Sequence, residues 1–216
     1  MIATSDLIST LSTNLAPVHR LRSPTLRALL WMLLAALVFS LVGLSHGVRA
    51  DLAARFSESS FVLELVGALL TGLLSAVAAF FLSLPDRSRW WMVLPLPAFL
   101  LWMSTIGQQC LTNWVAIGPN GMKLGESAEC FATFGLVSLP LSLALIIMLR
   151  HVKALRATEV VVLGGLAVAG IAATAISVFH EIDATAMILV FNLGVALFMI
   201  GASALFGRLL PTQRPL

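Results

Sequence analysis

Cys110 and Cys130 are the only two thiols in a chain of 216 residues, and they lie twenty positions apart. Three chemistries are open to such a pair. A permanent disulfide would clamp the loop between them, and closing a loop of this size stabilises by roughly 3 kcal/mol. A reversible thiol pair would respond to oxidant through its thiolates. A soft-metal site would join both sulfurs to His180, Met122 or a nearby acid. The spacing is not a CxxC, so it does not choose among them. Which chemistry is open depends on where the chain places the two sulfurs.

Composition sets the frame. The chain is 59% hydrophobic and only 11% charged, with a mean hydropathy of +1.01. A soluble domain has no way to hide that much apolar surface. Charges delimit six apolar segments, at about 28–45, 65–85, 90–107, 130–149, 160–180 and 184–207. Each is long enough to cross a bilayer as a helix that satisfies its own backbone. No period-two alternation supports a barrel. The expected fold is an all-α polytopic membrane protein. It has one membrane domain over 28–208, a tail over 1–27 and a short tail over 209–216. The net charge of +3 belongs to span flanks, so no direct nucleic-acid contact is expected.

Orientation follows from the basic residues. Arg20, Arg22 and Arg27 precede the first span, and Arg87 and Arg89 join the second to the third. Arg150, Lys153 and Arg156 join the fourth to the fifth, and Arg208 and Arg214 follow the sixth. Ten of the thirteen cations thus fall on one side, and only Arg49, Arg55 and Lys123 on the other. The basic side is the cytoplasm, so both termini are inside. The expected location is a bacterial inner membrane, crossed several times, with the lipid bilayer as one partner.

On this topology Cys110 closes span three and Cys130 opens span four. Both therefore face an oxidising compartment, on helices expected to be neighbours. His180, at the outer end of span five, shares their level. The periplasmic loop 108–129 carries a turn signal at Gly118-Pro119-Asn120-Gly121 and an interfacial Trp114. Glu64 lies about one turn inside span two and reads as a boundary residue reaching the interface. Small residues recur every fourth position, as Gly67, Thr71, Ser75 and Ala79 and as Gly165, Ala169, Ala173 and Ser177. Each series suits close helix packing. Pro95 and Pro97 lie one turn into span three, and Pro140 lies mid-span four, where bends are expected.

The amino-terminal tail holds a short amphipathic helix. Thr4, Ser5 or Asp6 caps it, and Pro17 lies beyond its end. Leu7, Ile8, Leu11 and Leu15 share one face, with Ser9, Thr10, Ser12, Thr13 and Asn14 opposite. Membrane-surface helices usually carry cations on the polar face. This one carries hydroxyls, which suits insertion into a groove on a soluble partner.

The chain also resembles a known family. Asp6-Leu7-Ile8 with Leu11, then Pro17-Val18-His19-Arg20-Leu21-Arg22, is similar to the start of the NrsF-type membrane anti-sigma factors. So is Leu82-Ser83-Leu84-Pro85-Asp86-Arg87-Ser88-Arg89. The most specific part is Cys110-Leu111, Trp114, Gly118-Pro119, Gly121, Gly125-Glu126-Ser127 and Cys130-Phe131. The resemblance implies a six-helix inner-membrane protein that sequesters an extracytoplasmic-function (ECF) sigma factor. It also implies a tail that contacts the sigma factor, and cysteines that sense metal or oxidative stress. Where the family pattern places a second histidine near the start of span six, this chain has Asn192.

The resulting expectation is a regulator without a catalytic centre or cofactor. Leu7, Ile8, Leu11 and Leu15 dock on the sigma factor, helped by Arg20 and Arg22. Cys110 and Cys130 sense the stimulus, with His180 as third ligand if a soft metal ion is bound. The rival reading is a membrane thiol-disulfide enzyme or a small-molecule transporter. The first normally needs a second cysteine pair, and the second needs polar groups at mid-membrane. The chain has no second pair, and such polar groups are scarce.

Overall fold

The computed structural model describes residues 4–13, 23–113, 124–149 and 157–179. Its α-helices are α1 (Thr4–Thr13), α2 (Pro24–His46), α3 (Leu52–Arg55), α4 (Ser59–Leu82), α5 (Leu96–Asn113), α6 (Leu124–Leu149) and α7 (Ala157–Phe179). A 3-10 helix, Arg89–Val93, leads into α5. No strand occurs among the described residues. Helices α2, α4 and α7 are long and apolar enough to cross a membrane, and α6 adds an apolar stretch over Thr133–Leu149. The sixth expected span lies outside the described residues.

Local chemistry sets the ends of α2. Ser23 caps the helix by accepting a hydrogen bond from the Leu26 amide at 3.4 Å, and Pro24 fills the first position, where no amide is needed. Gly47 stops it at φ +78, a backbone state that glycine adopts without a Cβ penalty. The two ends of the bundle are called here the Pro24 end and the His46 end.

Helices α4 and α7 form the antiparallel centre of the bundle, with α5 against α4, and α6 against α7 and α2. Their contact is backbone to backbone. A Cβ on Gly170 would stand 2.6 Å from the Ala68 carbonyl oxygen, and one on Gly72 would stand 3.0 Å from the Ile171 nitrogen. Thr71 and Thr174 turn their hydroxyls back onto the Gly67 and Gly170 carbonyls, at 2.7 and 2.8 Å. Both can then face a neighbouring helix without an unmet hydrogen bond. The expected α4 series (Gly67, Thr71, Ser75, Ala79) is buried throughout. The α7 series is covered only in part, at Ala169 and Ala173. Gly165 is exposed, with nothing within 4 Å of its Cβ position, and Ala167, Gly170 and Ile171 meet α4 instead.

The outer faces are apolar. Leu29, Leu33, Leu37, Leu41 and Leu44 line one side of α2, and Leu136, Leu139, Leu143 and Ile147 one side of α6, all exposed. Continuous stripes of this size are a liability in water and are ordinary against lipid tails.

Three expectations need correction. Arg27 is not a headgroup-facing flank. It lies in the first turn of α2 and is buried, because its guanidinium finds an acceptor on α6. Glu64 is not an exposed boundary residue. Since α4 begins at Ser59, Glu64 falls in its second turn and is buried. Span three does not begin at Trp90. The chain runs there as a 3-10 helix, and α5 starts at Leu96 with Pro97 in its first turn, where proline is tolerated. Pro140, by contrast, lies inside α6 as expected.

Candidate functional site

Both cysteines fall within helices. Cys110 lies in the last turn of α5, and Cys130 in the second turn of α6. Helix α6 begins six residues before the expected span, so Cys130 is not at its mouth. Helices α5 and α6 have different main partners, α4 for the first and α7 with α2 for the second. The succession of these helices in the chain therefore does not make them each other's chief interface. The cysteine side chains, His180, and the loop 114–123 with its expected hairpin lie outside the described residues. Among the described residues, no three His, Cys, Asp or Glu side chains cluster as a metal site would require.

At the Pro24 end, Arg27 is the most unusual side chain. Its Nη2 donates to the Met148 carbonyl at the end of α6, and its guanidinium lies 5.3 Å from the Phe80 ring of α4. Nη1 is buried with no hydrogen-bond partner. One turn further along α2, the fully buried Trp31 donates its indole N–H to the Leu141 carbonyl at 3.1 Å. Leu141 directly follows Pro140. Helix α2 thus holds two carbonyls of the antiparallel α6, both on the same side of its proline. The local signals Ser23-Pro24 place Arg27 inside the helix, but not the acceptors it finds on α6.

Nearby, Arg89 stands 3.9 Å from Glu159 in the first turn of α7. Trp91 stacks on Phe81 with centroids 4.2 Å apart, and Arg87 lies over the same ring at 5.7 Å. Trp90 is exposed.

At the His46 end, a second buried arginine closes the loop after α2. The Arg49 amide donates to the Val178 carbonyl at 3.3 Å, and its Nη1 to the Ser177 carbonyl at 3.4 Å. Its guanidinium also makes a two-point contact with Asp51, at 2.6 and 2.8 Å. Arg49 therefore serves the carbonyls at the end of α7, where the helix dipole is negative. The Arg49 hydrogen bond holds the Asp51 carboxyl below its ordinary range, with the charges of Arg49 and Arg55 acting in the same direction and burial opposing. Arg55 continues the network to Glu58 at 2.9 Å.

The tail is described in part. Leu7, Ile8 and Leu11 lie within α1, whereas Leu15, Arg20 and Arg22 lie outside the described residues. The polar side of α1 (Asp6, Ser9, Ser12 and Thr13) is exposed. Ser9 and Ser12 donate to the Asp6 and Ser9 carbonyls, at 2.9 and 3.0 Å.

Comparison with known proteins adds the decisive finding. A family model described as negative regulator of sigma F (NrsF) matches residues 11–211, nearly the whole chain. No curated protein and no solved structure matches it.

Proposed function

The chain belongs to the NrsF family of negative regulators of sigma F, and from that premise we propose that it is an inner-membrane anti-sigma factor that senses stress through its two cysteines. The observation that carries this reading is the family match over residues 11–211. The apolar stripes of α2 and α6 support a membrane setting. The charge distribution supports a tail on the cytoplasmic side and cysteines on the periplasmic side.

In this reading Leu7, Ile8, Leu11 and Leu15 occupy a groove on an ECF sigma factor, with Arg20 and Arg22 at its rim. A short helix of this kind is marginal alone and gains its order on binding. A change at Cys110 and Cys130, by oxidation or by capture of a soft metal with His180, repositions the membrane helices. Sigma affinity then falls. A coupling of about 1–3 kcal/mol corresponds to a change of roughly five- to 150-fold.

The test is co-purification with the sigma factor from detergent extracts. Undiminished capture after deletion of residues 1–20 would reject the tail assignment. Unchanged stress induction of sigma targets with both cysteines replaced by serine would reject the sensing role.

A further inference from the structure

We propose that Arg27 is a positioning residue that reports the placement of α6 to the sigma-binding tail, an inference that rests on the regulatory reading above. It starts from a cost. A guanidinium buried in an apolar bundle is expensive unless its donors are met. Arg27 is 5% exposed, yet its Nη1 is unmet. Ordinary helix packing needs no cation at this position, since an apolar side chain would fill the space at lower cost.

What the cation adds is direction. It rests on a carbonyl in the last turn of α6, the negative end of that helix. Apolar contacts between helices tolerate small slides, but a hydrogen bond to one carbonyl does not. The last four carbonyls of a helix have no donor from within it. A shift of α6 therefore takes Met148 out of reach and brings a neighbouring carbonyl to the same guanidinium. That gives two discrete positions rather than a continuum.

The same helix carries Cys130. From Cys130 to Met148 is about 27 Å at 1.5 Å per residue, so α6 links the two ends of the bundle. Pro140 lies between and is its natural bending point. The two donors of α2, Arg27 and Trp31, grip α6 only beyond that proline, at Met148 and Leu141. Bending at Pro140 thus loads both bonds. Arg27 stands three residues after the start of α2, directly after the tail. A change in its grip alters how that segment leaves the membrane.

The test uses full-length protein in detergent with its sigma factor. Capture is measured with the cysteines reduced, and after diamide, which takes two electrons and two protons from a thiol pair and is itself reduced to the hydrazine. Wild type is expected to change capture at least fivefold between the two. Arg27→Met and Trp31→Phe are expected to keep capture in the resting state and to change less than twofold. Arg27→Lys, which keeps the cation but donates through one nitrogen, is expected to recover part of the response. Trp31→Phe keeps an aromatic ring at its site and carries the test should Arg27→Met fail to fold. A full wild-type response in Arg27→Met or Trp31→Phe overturns the inference and leaves the regulatory reading intact. A wild type that captures sigma without responding to thiol state overturns sensing by oxidation and the inference together. No capture by wild type overturns the regulatory reading itself.

Discussion

Gly170 of α7 faces the Ala68 carbonyl of α4 so closely that a methyl group on it would lie 2.6 Å from that oxygen. The obstacle is backbone on both helices, so no side chain can turn aside to relieve it. Gly170→Ala must push α7 away from α4 and is expected to cost about 1–3 kcal/mol. Gly165→Ala, on an open face of the same helix, is expected to be neutral or stabilising by up to about 1 kcal/mol through helix propensity. Thermal unfolding in detergent, followed by tryptophan fluorescence, checks both. Equal effects at the two positions would mean that α7 is rotated from the arrangement described.

Asp51 sets a pH dependence at the other end of the bundle. Its carboxyl is held below the ordinary range by the Arg49 hydrogen bond. A depressed folded-state value means that the stabilisation is complete above the unfolded value of about 3.9. It is lost as pH falls through the lower, folded value. Protection of the Arg49–Glu58 loop from hydrogen exchange, taken relative to the intrinsic amide rate at each pH, should therefore fall below about pH 4. In Asp51→Asn the acid-dependent change should largely disappear, and the loop should exchange faster than wild type at neutral pH.

Two adjacent tryptophans are expected to behave differently. Trp91 stacks on Phe81 with an interplanar angle of 22°, whereas Trp90 is 79% exposed. Trp91→Ala should cost at least about 1 kcal/mol. Trp90→Ala should stay within about 0.5 kcal/mol. Denaturation midpoints in a neutral detergent separate the two. A loss at Trp90 equal to that at Trp91 would contradict the packing of the 3-10 helix.

Much of this arrangement is legible in the residues themselves. Charges mark where α2, α4 and α7 lie, because a bilayer-spanning helix excludes them. Burial of Gly67, Thr71, Ser75 and Ala79 follows from their shared face. The α7 seam was harder to see. Gly165 and Gly170 both stand in runs of small residues, and only the partner helix decides which run is covered. Arg27 and Arg49 are opaque for a related reason. Their acceptors, Met148 and Ser177, are more than a hundred positions away, so charge alone assigned them to span flanks. Pro95 precedes α5 and Pro97 lies in its first turn, where a missing amide is harmless, and the flanking charges do not distinguish this from a site one turn later.

The tail offers the sharpest test of partner binding. Ser9 and Ser12 are exposed on α1, and their hydroxyls already donate to backbone carbonyls one turn back. They have little to offer a partner, so Ser9→Ala and Ser12→Ala should alter sigma capture less than about twofold, under 0.5 kcal/mol. Leu7 and Leu11, four positions apart and thus on one face of α1, are the expected anchors. Each Leu→Ala change should weaken capture roughly tenfold, about 1.4 kcal/mol. Together they should lose more than either alone, because anchors on one face share one groove. Titration of the labelled sigma factor against detergent-solubilised variants gives the affinities directly. Serine variants that weaken capture as much as the leucine variants would mean that the helix presents its polar side, and the groove assignment would fall.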